Sequence, residues 1–110
     1  MATLFTKIIN REIPGDIVYE DDKVVAFRDI DPQAPVHIIL ATRTEIPGLA
    51  GLPDEGDHLA ILNAAKKIAE QEGLESGYRL VINQGPDAQQ SVPHLHAHLL
   101  GGRKLGWPPG

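Results

Sequence analysis

The chain has 110 residues, of which 42% are hydrophobic, so it is long enough for one small globular domain and is not intrinsically disordered. Its formal net charge of −5 argues against a large surface for nucleic-acid backbones, although a few local donors could hold one phosphate. The absence of cysteine excludes disulfides, thiolate metal sites and cysteine nucleophiles. No apolar run approaches membrane-spanning length and the first residues lack the apolar core of a signal peptide, so we expect a cytoplasmic protein without membrane contact.

The N-terminal half predicts a short helix followed by three strands. Apolar residues at helical spacing predict the helix over residues 3–9, with Thr3 as its N-cap. After a Pro-Gly-Asp turn, residues 17–20 and 23–28 predict a hairpin. Residues 36–41 form an apolar run that predicts a central strand containing His37. A single histidine in such a strand is usually structural, so we expect His37 to support a site elsewhere.

The C-terminal half predicts one longer helix and two more strands. Helical periodicity extends over residues 57–72 and ends before Gly73, a residue suited to the position after a helix. Residues 77–83 predict a strand, and the short polar loop 84–90 makes the next strand its antiparallel neighbour, with Asn83 close to it. The tail after residue 100 shows no periodicity. We expect its Trp107 to be held against something, plausibly a second subunit.

Three of the five histidines alternate in the segment His94-Leu95-His96-Ala97-His98. Successive side chains on a strand point to opposite faces, so the pattern predicts one imidazole face and one apolar face. The three positions span about 13 Å on a straight strand, too far for all three histidines to ligate one ion. Two neighbouring histidines could still share a metal, which is the less favoured possibility. The second possibility is covalent catalysis: a neutral imidazole can attack phosphorus if its other nitrogen is hydrogen-bonded and donors surround the phosphate. Ser91, Asn83 and the backbone N–H groups of residues 89–91 are the candidate donors.

At this motif the chain resembles the histidine triad (HIT) hydrolases. Residues 94–100 match the family signature of alternating histidines and apolar residues at every position. The resemblance extends over residues 17–22, 26–30, 32–37 and 77–83, and the ending, residues 101–103 with 107–110, resembles the Hint branch, the purine nucleoside phosphoramidases. It implies one domain over residues 1–110 with the α+β HIT fold: an antiparallel sheet of about five strands, a short N-terminal helix and one longer helix, with the sheet continued across a homodimer.

The resemblance also implies a nucleoside 5′-phosphoramidate hydrolase that uses no metal or other cofactor. His96 would attack the phosphorus, while His94 and His98 flank and polarise the site. Ser91 would donate a hydrogen bond, and His37 would support the triad. The implied nucleotide contacts beyond the histidines and Ser91 are the ribose acceptor Asp29, the base contacts Ile17, Phe27 and Ile30, and the neighbouring Asn83, Gln89 and Gln90. The tail 101–110 would lie near the partner subunit's site, to which Trp107 contributes.

Three positions depart from the family pattern and bear on leaving-group preference. Gln89 stands where close relatives have glycine, Pro93 where animal members have tyrosine, and Arg28 where a histidine flanks the ribose contact. Ligands would be purine nucleoside monophosphates and phosphoramidates, with adenosine and guanosine equally open. The alternatives are a non-catalytic nucleotide-binding or scaffolding protein and, less favoured, a histidine-ligated metal site.

Overall fold

In the computed structural model, which describes residues 2–110, two helices and five strands make up the regular structure. The helices are α1 (Leu4–Ile9) and α2 (His58–Gln71). The strands, in chain order, are β1 (Ile17–Glu20), β2 (Val24–Arg28), β3 (Val36–Thr42), β4 (Tyr78–Val81) and β5 (His96–Gly101). Short 3-10 turns at Leu49–Gly51 and Pro86–Ala88 lie in the two longer loops.

The five strands form one antiparallel sheet in the order β1-β2-β3-β5-β4. The apolar strand β3 lies at the centre, which confirms its predicted position. Strand β5 pairs with β3 on one side and β4 on the other, so Ile39 and Val81 both stand opposite His98. The α+β class and the sheet of five antiparallel strands are therefore confirmed, while continuation of the sheet into a second subunit stays a prediction.

The two faces of the sheet pack against different helices. One face packs against α2, where Ile61, Ala65 and Ile68 meet the inward residues of β2, β3 and β5 in the larger core. The opposite face packs against α1, whose buried Phe5, Ile8 and Ile9 join a smaller cluster. Because side chains alternate along a strand, each strand supplies apolar residues to both clusters. The smaller cluster, on the α1 face, is the one that borders the histidines.

The start of α1 and the end of α2 are capped as their sequences predict. Thr3 caps α1, because its Oγ1 accepts a hydrogen bond from the Thr6 N–H at 3.1 Å. Gly73 follows α2 with a φ of 69°, and the N–H groups of Gly73 and Leu74 donate to Glu70 and Ala69 in a Schellman arrangement. Within residues 2–110 no helix is long and apolar enough to cross a membrane. The expected cytoplasmic location stays a prediction.

Arg28 lies on the α2 face of the sheet and not on the histidine face. Its guanidinium donates to both carboxylate oxygens of Glu72, at 2.9 and 3.0 Å, and so joins the end of β2 to the end of α2. This carboxylate raises the pKa of Arg28. The departure from the family pattern at Arg28 is thus accommodated by an ion pair on the far side of the sheet.

Candidate active site

Strand β5 places His96 and His98 on the α1 face of the sheet. They pair in register with Ala41 and Ile39 of β3, while Ala97 and Leu99 between and beyond them are buried in the larger core. The two imidazole rings lie edge to face, with centroids 5.0 Å apart. The predicted separation of an imidazole face from an apolar face is confirmed for these residues.

The prediction that His94 shares this strand is wrong. Strand β5 begins at His96, and His94 lies in a bend before it. The His94 side chain is fully buried, with its Nε2 at 2.6 Å from the Thr42 carbonyl oxygen and its Nδ1 at 2.7 Å from Thr3 Oγ1. Both ring nitrogens are thus occupied by distant segments, and the ring stays on the α1 side of the sheet, with its centroid 5.9 Å from that of Phe5. His94 therefore reaches the site through its backbone.

His96 has the geometry of a nucleophile. Its Nδ1 lies 2.6 Å from the carbonyl oxygen of His94, an acceptor, so the ring proton is on Nδ1 and the lone pair is on Nε2. No buried polar side-chain atom of residues 2–110 lacks a partner, and His96 Nε2 makes no hydrogen bond within that part of the chain. Nε2 is therefore open to solvent. Phe5 packs edge-on against the ring, with centroids 4.7 Å apart.

His37 determines which nitrogen of His98 carries the proton. The Gln33 N–H donates to His37 Nδ1 at 3.0 Å, so the His37 proton is on Nε2. That Nε2–H faces His98 Nδ1 at 2.8 Å, which leaves the proton of His98 on Nε2 as a donor. His37 is buried, as expected of a supporting residue. The lone pair of His96 thus stands beside an N–H donor of His98.

Burial keeps both strand histidines neutral. It lowers the pKa of His96, an effect that the hydrogen bond to the His94 carbonyl partly opposes. It lowers the pKa of His98 from 6.5 to about 4, with further lowering by the neighbouring His96 and His37. A neutral imidazole is the form that attacks phosphorus, so the site is built to stay nucleophilic in mild acid.

We expect the free energy of unfolding to fall as the pH drops from 6.5 to about 4. Above this window His98 is neutral in both states; within it the unfolded chain binds a proton that the folded site does not. The loss is about 1.4 kcal/mol per pH unit for one such group. Urea unfolding at stepped pH measures it, and His98→Gln should flatten the slope. Equal slopes in the two proteins would contradict this reading.

The implied nucleotide residues on β1, β2 and the loop after β2 differ in their burial and in their contacts with the histidines. Asp29 Oδ2 is 3.4 Å from His37 Nε2, and its Oδ1 accepts the Asp31 N–H at 2.8 Å. Ile30 is fully exposed next to Asp29, whereas Ile17 is half-buried. Phe27 is buried against Phe5, so it forms the floor under the site more than a wall of it.

The loop before the histidine motif is held by its own side chains. Gln90 Oε1 accepts the Gly85 N–H, and its Nε2 donates to the carbonyls of Pro47 and Val92, so this side chain braces the loop. Gln89 has a left-handed backbone with φ of 61°, a conformation in which glycine is easier than glutamine. The N–H groups of residues 89 and 90 bond within the loop, so they are not the free phosphate donors that we expected.

Ser91 and Asn83 border the site from the ends of that loop. Ser91 is exposed, and Asn83 lies two residues beyond Val81, the β4 residue that pairs with His98. The antiparallel pairing of β4 with β5 is as predicted. The donor roles of Ser91 and Asn83 stay predictions.

The tail is held by Arg79 of β4. The Arg79 guanidinium donates to the Gly106 carbonyl at 2.9 Å and lies 5.7 Å from the centre of the Trp107 ring. Trp107 itself remains 81% exposed. The indole thus stays largely exposed beside the Arg79 guanidinium, so the expectation that it packs against something, plausibly a second subunit, stays a prediction.

Sequence reasoning missed three residues that shape the site: Phe5, Gln33 and Thr3. Phe5 is the ring against His96, Gln33 acts through its backbone N–H, and Thr3 contacts a histidine 91 positions away. The local signals at these positions point to other tasks, namely a helix core, a loop and a helix cap. Nothing in the pattern alone could have linked them to the histidines.

The inner strand β5 thus presents two neighbouring imidazoles, one with a free ring nitrogen and one with an ordered proton, an arrangement suited to proton transfer and nucleophilic attack. The HIT domain description matches residues 10–105. The chain is 57% identical to the "14 kDa zinc-binding protein" of Zea mays, over 98% of this chain and 88% of that one. It is 55% identical to "Adenylylsulfatase HINT1" of Arabidopsis thaliana, over 98% of this chain and 76% of that one.

Among solved structures, a HIT family hydrolase from Legionella pneumophila Philadelphia 1 superposes with a TM-score of 0.92 at 46% identity, covering 99% of this chain and 100% of that one. The chain belongs to the HIT domain family. Its similarity to HIT hydrolases supports hydrolase activity, and the Arabidopsis relative supports the Hint branch.

The name of the maize relative raises the question of zinc, and Asp29, His37 and His98 are the group that could meet an ion, with one ligand atom each within 4.8 Å of the others. The donor chemistry does not fit. A neutral histidine that ligates zinc through Nε2 carries its proton on Nδ1, and His37 Nδ1 faces the Gln33 N–H donor instead. The Nε2–H of His37 also donates a hydrogen bond to His98 Nδ1, so these two nitrogens are bonded to each other. His37 and His98 are therefore better described as a hydrogen-bonded pair that fixes the positions of the ring protons than as ligands of a metal.

Proposed function

We propose that this chain hydrolyses the P–N bond of purine nucleoside 5′-phosphoramidates through a nucleotidyl intermediate on His96. The observation that carries the proposal is the unpaired, solvent-reachable Nε2 of His96, whose Nδ1–H donates to the His94 carbonyl. A backbone acceptor holds the ring in the reactive tautomer before any substrate arrives, which is the preorganisation that covalent catalysis needs.

The reaction proceeds in two displacements. The Nε2 lone pair of His96 forms a bond to the α-phosphorus, and the P–N bond breaks as the amine leaves with a proton supplied by a donor such as Ser91. The Nε2–H of His98 donates to a phosphate oxygen and stabilises the charge that develops there. Water then attacks the phosphorus and gives up a proton that restores the donor of the first step, the bond to Nε2 breaks, and the nucleoside monophosphate leaves with His96 neutral again.

The loop after β2, together with β1 and β2, positions the nucleoside. Asp29 stands 3.4 Å from His37 and would accept from the ribose hydroxyls through its exposed side. Ile30, fully exposed beside it, and Ile17 would pack on the faces of the base, with Phe27 beneath. Leaving the apolar side chain of Ile30 wholly in water is unfavourable, and a bound base would remove part of its surface from water. Apolar walls of this kind accept either purine.

The alternative is a nucleotide-binding or scaffolding protein without turnover. The site argues for the enzyme, because a binding pocket has no need of a histidine fixed in its nucleophilic tautomer. The name of the Arabidopsis relative suggests a second leaving group, since attack of His96 on adenylyl sulfate would release sulfate from the same phosphorus.

Turnover of a small panel tests the proposal: adenosine and guanosine 5′-phosphoramidates of one amine, and adenylyl sulfate, each with and without a strong chelator. We expect the phosphoramidates to be hydrolysed and the rate to be unaffected by the chelator. Mass spectrometry of the quenched reaction should show a nucleotidyl adduct on the peptide that contains His96. No turnover of any compound with intact nucleotide binding would favour the scaffold. Stoichiometric zinc whose removal ends activity would overturn the mechanism.

We also propose that two copies pair through α2 and the edge strand β4. Leu59 and Leu62 of α2 are 66% and 51% exposed, and β4 has one free edge. Closed two-fold pairing is the commonest way to cover such surface. In that arrangement Trp107 of one subunit would lie near the nucleotide site of the other.

Deleting residues 103–110 is therefore expected to change kcat or the preference among leaving groups by about tenfold, while the fold and the dimer persist. Steady-state kinetics on the panel, with sedimentation for the oligomeric state, measure this. Trp107→Ala separates the indole from the rest of the tail. A monomer at micromolar concentration, or unchanged kinetics on every substrate after the deletion, would refute this part of the proposal.

A further inference from the structure

The N-terminal cap of α1 contacts the buried histidine behind the nucleophile. Thr3 Oγ1 accepts the Thr6 N–H at 3.1 Å, as a helix cap does, and the same oxygen lies 2.7 Å from His94 Nδ1. Glu45, in the loop after β3, then anchors the cap. One of its oxygens accepts both the Thr3 N–H at 2.9 Å and the Thr6 hydroxyl at 2.7 Å.

The hydrogens in this cluster have one consistent arrangement. The Thr42 carbonyl requires a proton on His94 Nε2, so in the neutral ring Nδ1 is an acceptor. The Thr3 hydroxyl supplies that hydrogen, since its other acceptor, Thr6 Oγ1, is farther away at 3.2 Å. Glu45 is ionised because the hydrogen bonds from Thr6 and Thr3 lower its pKa, and an ionised carboxylate only accepts.

The cluster connects to the nucleophile through one atom. The His94 carbonyl oxygen accepts the Nδ1–H of His96 at 2.6 Å, and this bond keeps the lone pair of His96 on Nε2. His94 lies before strand β5, and the peptide that carries its carbonyl is held on one side by the Leu95 N–H, which donates to the Ile46 carbonyl at 2.7 Å. The ring of His94 is held on the other side, between Thr3 and Thr42.

We propose that Thr3 and Glu45 are positioning residues for the nucleophile, acting through His94 on the tautomer and orientation of His96. Neither residue touches the reacting atoms. Glu45 holds the Thr3 backbone, the Thr3 hydroxyl holds the His94 ring, and the His94 carbonyl holds His96. The helix cap is thereby part of the catalytic apparatus. The consequence for turnover rests on the proposed function, whereas the coupling between Thr3 and the His96 tautomer does not.

The test compares Thr3→Val, which keeps the shape and removes the hydroxyl, with Thr3→Ser, which restores it. We expect Thr3→Val to lower kcat about tenfold while KM stays within about twofold, because orientation of the nucleophile is lost and ligand contacts are not. Glu45→Ala should cause a smaller loss in the same direction, and Glu45→Gln, which keeps an acceptor oxygen, should restore it. Nitrogen-15 NMR of the imidazole rings should show His96 wholly in the Nδ1–H tautomer in the native protein and mixed in Thr3→Val.

The matched control is Ile8→Val, which removes one buried methylene group from the same helix without touching the cap or His94. It accounts for any general loss of stability in α1. If Ile8→Val lost as much kcat as Thr3→Val at equal stability, or if His96 kept one tautomer in Thr3→Val, the inference would be overturned. Absence of turnover in the native protein would refute the proposed function alone, since the NMR comparison needs no substrate.

Discussion

Replacing His96 with alanine is expected to lower kcat for an adenosine 5′-phosphoramidate by about a thousandfold or more. The change removes Nε2 of His96, the one protein atom that forms a bond to phosphorus in the proposed mechanism. AMP should still bind with an affinity within about tenfold of the native value, because the proposed ribose and base contacts lie on β1, β2 and the loop after β2. Single-turnover kinetics and calorimetric titration with AMP measure the two quantities.

The matched control for this variant is His58→Ala. His58 is the one histidine of the five that lies outside the site, and it is exposed at the start of α2. His58→Ala should keep native kinetics. Both variants should yield as much folded protein as the native chain does. Turnover that survives His96→Ala would remove His96 from the mechanism. Loss of AMP binding equal to the loss of turnover would favour a binding module.

Replacing His37 with phenylalanine is expected to have the second-largest effect, a loss of about a hundredfold in kcat. The ring shape is kept, but His98 Nδ1 loses the donor that keeps the His98 proton on Nε2. His98 then exists as a mixture of tautomers, and only one of them presents an Nε2–H donor to the phosphate. Kinetics combined with nitrogen-15 NMR of the His98 ring check this, and the fraction of the wrong tautomer should parallel the loss in kcat.

The same variant should also lower the free energy of unfolding by about 1–3 kcal/mol. The Gln33 N–H and His98 Nδ1 both lose their partner, and unpaired polar groups in a buried site retain their desolvation cost. Urea unfolding measures this loss. His37→Phe with native kcat and a single His98 tautomer would show that His37 is merely structural.

The sequence alone predicted the elements of this fold because each element is specified by local periodicity. The helix over residues 3–9 with its Thr3 cap, the hairpin of β1 and β2 and the central strand β3 all follow from spacing of apolar residues and turn residues. The histidine motif likewise indicated, by resemblance, the HIT family. In each case the information lies within a few residues along the chain.

The tertiary structure decided the roles of the individual histidines. Alternation predicted His94 on the strand, but β5 begins at His96, and both ring nitrogens of His94 are bonded to Thr3 and Thr42. The protons of His96 and His98 are ordered by the His94 carbonyl and by His37; the resemblance implied that His37 supports the triad, but which nitrogens carry the protons is seen only in the structure. A pattern of side chains specifies which face a residue takes. Which nitrogen carries a proton depends on partners that meet only when distant segments pack together.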